Sequence, residues 1–128
     1  MNWQSAALAL AGVIGSGVAV FHGVLTQRLI IRPFEEVSNG KLAPAIRRLV
    51  AGLLHFSTFN WFLCGVALIV VALWCGRDAR LAVGLLVGSS YLYGALGNFW
   101  ATRGRHPGWM LYSGAMVLIV CGIVRPGG

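Results

Sequence analysis

Residues 18–36, VAVFHGVLTQRLIIRPFEE, are the most informative stretch for the fold of this chain. An apolar run that contains a single histidine is followed directly by a cluster of charged residues. Apolar residues before this stretch extend the run back to about Ser5, which gives enough helix to cross a bilayer core of about 30 Å. Pro33 cannot supply a helix-interior N–H and disfavours helical backbone at Arg32 before it. The pattern therefore predicts a first membrane-spanning helix over about residues 5–31, ending before the proline.

The composition of the whole chain is that of a membrane protein. Of its 128 residues, 58% are hydrophobic and only 10% are charged, which lies well outside the range of soluble domains. Further apolar runs predict helices over about residues 45–74, 81–102 and 108–124. Residues 1–128 are therefore expected to form one all-α integral membrane domain, with four transmembrane helices in an up-down-up-down bundle.

Basic residues are distributed unevenly between the two ends of the predicted helices. The first and third loops place seven at one end, Arg28, Arg32, Lys41, Arg47, Arg48, Arg103 and Arg105, against Arg77, Arg80 and Arg125 at the other. Short loops rich in Lys and Arg stay in the cytoplasm, so both termini are expected on the non-cytoplasmic side of the cell inner (plasma) membrane. Trp3, Trp74, Trp100 and Trp109 lie near the predicted helix ends, where indole rings anchor membrane proteins.

The formal net charge of +7 does not indicate nucleic-acid binding. The basic residues flank apolar helices and do not form a groove interleaved with aromatic residues, so anionic lipid headgroups are the expected partners. Arg28, Arg32, Arg47 and Arg48 are the predicted headgroup-binding residues, and His106 is expected to contact headgroups as well. Beyond the lipid bilayer, a membrane-protein partner or a second copy of the chain is a further candidate partner.

Glycines in the predicted helices indicate where backbones approach one another. Gly12, Gly15 and Gly17 crowd the first helix, while Gly84 and Gly88 form a GxxxG pair in the third. Small residues let helices come close in lipid, where no hydrophobic drive joins them. The same glycines also suit the interface of a homo-oligomer.

Polar side chains inside the predicted helices identify a candidate ligand-binding site. His22 lies about ten residues before the end of the first helix and His55 about ten after the start of the second, so similar depths toward the cytoplasmic side are expected. The third helix returns to that side with Tyr91, Tyr93 and Asn98. Because an unpaired polar group is costly in hydrocarbon, these groups are expected to face inward. They either fix helix packing or line a binding site.

Two opposed imidazoles would also supply both axial ligands of haem b, which makes His22 and His55 the candidate metal-binding residues in that case. No motif assigns catalytic residues, since the chain has no GxSxG, P-loop or HExxH in a suitable context. We therefore do not expect an enzyme by itself, and the cofactor is left unassigned.

Two functional hypotheses follow from the sequence. The first is a small inner-membrane protein whose His/Tyr cluster binds a hydrophobic or prosthetic ligand, or which serves as an accessory subunit of a larger membrane complex. The alternative is a homo-oligomeric transporter or channel for small solutes or ions, suggested by the GxxxG pair.

Overall fold

A computed structural model describes residues 2–124, and within this range the chain is helical with no β-strand. The elements are α1 (Trp3–Thr26), a π-helical turn (Gln27–Ile31), α2 (Arg32–Ser38), α3 (Pro44–Trp74), α4 (Arg77–Thr102) and α5 (Gly108–Ile123). Because α1, the π turn and α2 follow one another without a break, they make one continuous helix of 36 residues. The described residues thus form four helices.

Three of these helices are long and apolar enough to cross a membrane, which fits a membrane protein. They are the continuous helix Trp3–Ser38, α3 and α4, with mean hydropathy of 2.0, 2.0 and 1.3 over their most apolar stretches. The fourth, α5, is apolar but has 16 residues, or about 24 Å of helix, whereas a bilayer core is about 30 Å thick. The fourth predicted span is therefore shorter than a full crossing.

The first helix does not end before Pro33, contrary to our expectation, but continues to Ser38. The Arg32 N–H donates to the carbonyl of Gln27, five residues earlier, and this bond closes a π turn. In a regular helix the ring of Pro33 would press on the carbonyl four residues before it. The wider π turn precedes the proline, which then lies in the first turn of α2, where its missing N–H is not needed.

The start of α4 also differs from the prediction. We expected the helix from about residue 81, after a polar turn, but α4 begins at Arg77 and only Cys75 and Gly76 separate it from α3. Polarity alone suggested a loop. Asp78 in the first turn of α4 instead favours helix, because a carboxylate there complements the positive end of the helix dipole.

Arg80 ties α4 to the end of α3. Its Nε donates to the carbonyls of Val71 (3.1 Å) and Cys75 (3.0 Å), and its Nη2 donates to the carbonyl of Ala72 at 2.9 Å. The last carbonyls of a helix have no partner within the helix. One guanidinium therefore satisfies the carboxyl end of α3 and fixes the short turn that follows.

Glycines bring the helices together within the chain. A Cβ atom on Gly12 of α1 would lie only 2.5 Å from the carbonyl oxygen of Gly65 on α3, and one on Gly84 of α4 would lie 2.7 Å from Ile123 of α5. These side-chain-free surfaces let the backbones approach closely. The Gly84 half of the GxxxG pair is thus occupied by α5 of the same chain.

The buried core lies among α1, α3, α4 and α5. Its members are Leu8, Ala11, Leu68, Ala72, Val87, Tyr91, Ala95, Tyr112, Ala115 and Ile119. Tyr91 and Tyr112 are the largest fully buried side chains, and their ring centroids are 5.0 Å apart. Two tyrosines therefore form the centre of an otherwise aliphatic core.

Three of the four predicted tryptophan anchors lie exposed near helix ends, namely Trp3, Trp74 and Trp100. Trp109 is half-buried and its indole N–H donates to the carbonyl of Gly104 at 3.1 Å. Its side chain is thus turned back onto the connection between α4 and α5.

The first helix and α3 extend together beyond the ends of α4 and α5. His106, in the α4–α5 connection, lines the same cavity as His22 of α1, and Trp61 of α3 lies beside Ala101 near the end of α4. Residues 26–57 therefore project past the other two helices, and we call them the extended hairpin. The 13 residues from Thr26 to Ser38 alone span about 18 Å.

Candidate functional site

A cavity of about 140 Å³ lies between α1, the end of α4 and the start of α5. Its wall is mostly apolar, and its four polar residues are His22, Asn98, His106 and Tyr112. Each comes from a different part of the chain, so only the packed helices bring them together. A mainly apolar cavity with a few convergent polar groups is the usual form of a small-molecule site.

His22 is half-buried on the α1 side of the cavity. Its Nε2 lies 3.2 Å from the hydroxyl of Thr26, one turn further along the same helix, in hydrogen-bond contact. Its ring lies 4.9 Å, between centroids, from the ring of Trp61 on α3. Both contacts hold the imidazole in place beside the cavity.

Tyr112 lines the cavity from α5. The side chain is 1% exposed, and its hydroxyl has no hydrogen-bond partner among residues 2–124. The ring packs edge-on against Trp61, at 5.3 Å between centroids. A buried hydroxyl without a partner costs free energy, and most buried polar groups in proteins are paired. Tyr112 therefore packs behind the cavity wall, and its hydroxyl is enclosed in the core.

Asn98 and His106 already use part of their hydrogen-bonding capacity. The amide Nδ2 of Asn98 donates to the carbonyl of Gly94 at 3.0 Å. Nδ1 of His106 accepts from the N–H of Gly108 at 3.1 Å. An Nδ1 that accepts carries no proton, so Nε2 of this neutral imidazole is the N–H donor. The amide oxygen of Asn98 and Nε2–H of His106 are thus complementary, one accepting and one donating.

The cavity opens sideways at the outer surface of the helices. Phe21 of α1 and Leu111 of α5 form part of its wall and are also 59% and 48% exposed at that surface. Gly17 lies beside them, and a Cβ atom there would meet nothing within 4 Å. The cavity is therefore open at the apolar outer surface between α1 and α5.

His55 does not share this cavity. It is exposed on α3, and its Nε2 lies 2.9 Å from Oε1 of Gln27, in the π turn. Gln27 is five residues beyond His22, or about 7.5 Å along the helix, so the two imidazoles lie at different depths. The π turn and the extension of α1 past Pro33, which the sequence did not indicate, set this offset.

The arrangement therefore does not supply the opposed pair of imidazoles that haem b requires. His22 and His55 bond to different partners and line no common cavity. Within the described residues no group of three or more His, Cys, Asp and Glu side chains is placed to hold a metal ion.

The two other predicted tyrosines lie in opposite environments. Tyr91 is fully buried in the core, where its hydroxyl packs against Gly15 of α1 and has no hydrogen-bond partner in the described chain. Tyr93 is 78% exposed on the outer surface of α4. Side chains that are two residues apart on a helix point in directions about 200° apart. Of the five predicted ligand-binding residues, His22 and Asn98 line the cavity.

Neither His106 nor Tyr112 is among the predicted ligand-binding residues. His106 was expected to contact headgroups because it lies in a polar connection, but that connection folds over the end of the cavity. The available signal for Tyr112 was its place in the second turn of the fourth helix, at the same end as His22. The packing of α5 against α1 determines that both face one space.

The predicted headgroup-binding residues all lie on the extended hairpin. Arg28, Arg32 and Arg48 are exposed. Arg47 is half-buried, and its Nη1 donates to Oδ1 of Asn39, in the turn, at 3.4 Å. Three of the four guanidinium groups are therefore accessible at this end of the molecule.

Comparison with known proteins assigns no relative, since no protein-family model, no curated protein and no solved structure matches this chain.

Proposed function

We propose that this chain is a multi-pass protein of the inner membrane that binds a small hydrophobic ligand in the cavity between α1 and α5. The observation that supports this most directly is the mainly apolar cavity itself, where the packed helices bring together His22, Asn98 and His106 from three parts of the chain. A ligand would place its hydrogen-bonding group among these side chains and its apolar part against the wall. His22, Asn98 and His106 would orient the same group.

Access from the bilayer supports a lipid-soluble ligand. Phe21 and Leu111, which line the cavity, are exposed at the apolar outer surface of the helices. A ligand that partitions into the membrane is already concentrated there, and it reaches the cavity without crossing water. We expect its apolar part to remain between α1 and α5 after its polar part enters.

We further propose an up-down-up-down arrangement of the four helices. Contacts along neighbouring helices run in opposite order, which supports it: Gly12 lies beside Gly65, and Gly23 further along α1 lies beside Thr58 earlier in α3. The unequal distribution of Lys and Arg supports a cytoplasmic location for the extended hairpin and a non-cytoplasmic one for both termini. Arg125, which the sequence places at the non-cytoplasmic end, lies outside the described residues.

The orientation has a direct test. Replacing Arg28, Arg32, Arg47 and Arg48 together by glutamine leaves three basic residues at each end, so the charge bias disappears. We expect the native protein to have one orientation and this variant to have two. Labelling by a membrane-impermeant maleimide reports it, with a cysteine introduced at Asn39 for the hairpin and the native Cys75 for the opposite end. Equal labelling of both cysteines in the native protein would contradict a single orientation.

The ligand has its own test, with a matched pair of variants. Gly17→Leu would fill the mouth of the cavity, whereas Gly114→Leu adds the same side chain on the outer face of α5; neither added Cβ meets an atom within 4 Å. Proteins purified gently from native membranes are extracted, and the extract is identified by mass spectrometry. We expect a stoichiometric small molecule with the wild type and Gly114→Leu, and its loss with Gly17→Leu. Identical extracts from all three proteins would contradict the proposal.

The GxxxG pair gives no separate support for a homo-oligomeric transporter or channel. Gly84 packs against Ile119 and Ile123 of the same chain, which accounts for its small size. Gly88 lies at the edge of the same α4–α5 contact. A Cβ atom added there would lie 3.9 Å from the side chain of Ile119.

A further inference from the structure

We infer that the ligand's polar part is a single six-membered ring that bears an oxygen, as in a quinone or a phenol, joined to an apolar tail that stays in the lipid. This inference rests on the proposed function and names the class of ligand for the same cavity. Four properties of the cavity support it: its volume, its aromatic wall, its mixture of donors and acceptors, and its lateral opening.

The volume sets the size of the group that enters. The cavity measures about 140 Å³, and an apolar protein cavity of about 150 Å³ is known to hold one benzene molecule. One six-membered ring therefore fills the space. A fused two-ring group is larger than the molecule that a cavity of this volume is known to hold.

The wall suits a flat ring. Phe21, His22 and Tyr112 present three planar side chains to the cavity. Trp61 packs behind two of them, at 4.9 Å from His22 and 5.3 Å from Tyr112 between ring centroids. Planar rings pack favourably on one another edge-to-face or offset. The fixed aromatic side chains thus favour a planar occupant over a saturated one.

The hydrogen-bonding groups suit an oxygen on that ring. Nε2–H of His106 donates, and the Asn98 amide oxygen accepts. A quinone carbonyl accepts from His106, while a phenol hydroxyl also donates to Asn98. None of these groups is charged in the state described, so a neutral oxygen matches them better than a carboxylate or phosphate does. The shared chemistry is an uncharged oxygen on a six-membered ring.

The lateral opening of the cavity provides a path for the apolar tail of the ligand. Gly17 has no side chain at the mouth, between the exposed side chains of Phe21 and Leu111. A chain attached to the ring passes through this gap into the surrounding lipid. Ring and tail are thereby placed in the two environments that suit them.

The test compares four probes that carry the same heptyl chain: heptylphenol, heptylbenzoquinone, heptylbenzene and heptylnaphthoquinone. Binding is measured with the protein in nanodiscs, against empty nanodiscs that correct for partition into lipid. We expect heptylphenol, heptylbenzoquinone or both to bind about tenfold more tightly than heptylbenzene, the effect of one hydrogen bond. We expect heptylnaphthoquinone to bind more weakly than heptylbenzoquinone, and His106→Phe to abolish the preference for the quinone over heptylbenzene.

The outcomes separate this inference from the proposed function. Tight binding of the phenol alone assigns a phenolic lipid, and tight binding of the benzoquinone alone assigns a quinone; either supports the inference. If heptylbenzene binds as tightly as heptylphenol and heptylbenzoquinone do, the ring-oxygen inference is overturned. The cavity remains a ligand site in that case if Gly17→Leu removes the binding. If Gly17→Leu changes the binding of no probe, both are overturned. The comparison of probes on the wild type needs no variant to fold.

Discussion

The four-helix part of the molecule and the extended hairpin both contain apolar helical stretches but differ in packing. Around the core, glycines such as Gly12 and Gly65 let backbones touch, and the side chains between them are buried. In the hairpin, Leu49, Leu53 and Phe56 are more than half exposed on α3. Hydropathy is thus insufficient to distinguish a helix packed on three neighbours from one packed on a single neighbour.

Different interactions hold the two regions together. The four-helix part depends on close backbone contact and on Tyr91 and Tyr112 filling the centre. The hairpin has two side-chain hydrogen bonds across it, from His55 to Gln27 and from Arg47 to Asn39. We therefore expect substitutions to be severe in the first region and mild in the second.

The largest difference is expected between Gly15→Leu and Gly52→Leu. A Cβ atom on Gly15 would overlap the hydroxyl and ring of Tyr91, whereas one on Gly52 of the hairpin meets nothing within 4 Å. Both changes replace a helical glycine by leucine, so the gain in helix propensity cancels between them. We expect Gly15→Leu to destabilise the fold by about 3 kcal/mol or more. Gly52→Leu is expected to be neutral or stabilising by less than about 1 kcal/mol.

Thermal unfolding in one detergent, followed by circular dichroism, measures this difference. Equal midpoints for the two variants would mean that the glycines of α1 do not set the helix spacing, and the comparison between the regions would fail.

A smaller difference is expected at two arginines. Arg80→Gln removes three hydrogen bonds to the last carbonyls of α3, and we expect a loss of about 1–2 kcal/mol, because a shorter amide can recover one of them. Arg48→Gln changes an exposed hairpin side chain, and an effect under about 0.5 kcal/mol is expected. Chemical denaturation of both variants measures the two losses. If Arg48→Gln cost as much as Arg80→Gln, the hairpin would depend on contacts that exposure alone does not reveal.

Much of this fold was accessible from the sequence because it depends on local properties. Length and hydropathy predicted the helical, membrane-spanning character, and the end of α3 at Trp74 agrees with the expected boundary. The end of the first helix was not predictable from Pro33, because the helix continues through a π turn that includes a bond from the Arg32 N–H to the carbonyl of Gln27. No residue type in that stretch specifies such a bond.

The candidate site was less predictable, because it depends on how helices rotate about their axes. Periodicity places Tyr91 and Tyr93 on different faces but does not state which face is inward. The structure turns Tyr91 into the core and leaves Tyr93 exposed. His106 lines the cavity only because the α4–α5 connection folds over the end of α5. The folding of a loop produces no periodic pattern of residues that could predict this.

A smaller effect than that of Arg80→Gln is expected for the bond between α3 and the π turn. His55→Leu and Gln27→Leu each remove one partner of a 2.9 Å hydrogen bond at an exposed site, and each is expected to cost about 0.5–1.5 kcal/mol. Because the two residues are in contact, the double variant should cost less than the sum of the single ones. His55 and His22 have different partners, so their variants should be additive.

Hydrogen exchange can locate this effect. With His55→Leu we expect faster amide exchange over residues 26–57 and unchanged exchange in α5, since local opening follows the local contacts. Ligand binding at the cavity should be unaffected, because His55 does not line it. Faster exchange that spread into α5, or non-additivity between His55→Leu and His22→Leu, would show that the hairpin and the cavity are energetically coupled. The two regions would then act as one unit, and the hairpin would have to be counted among the determinants of the ligand site.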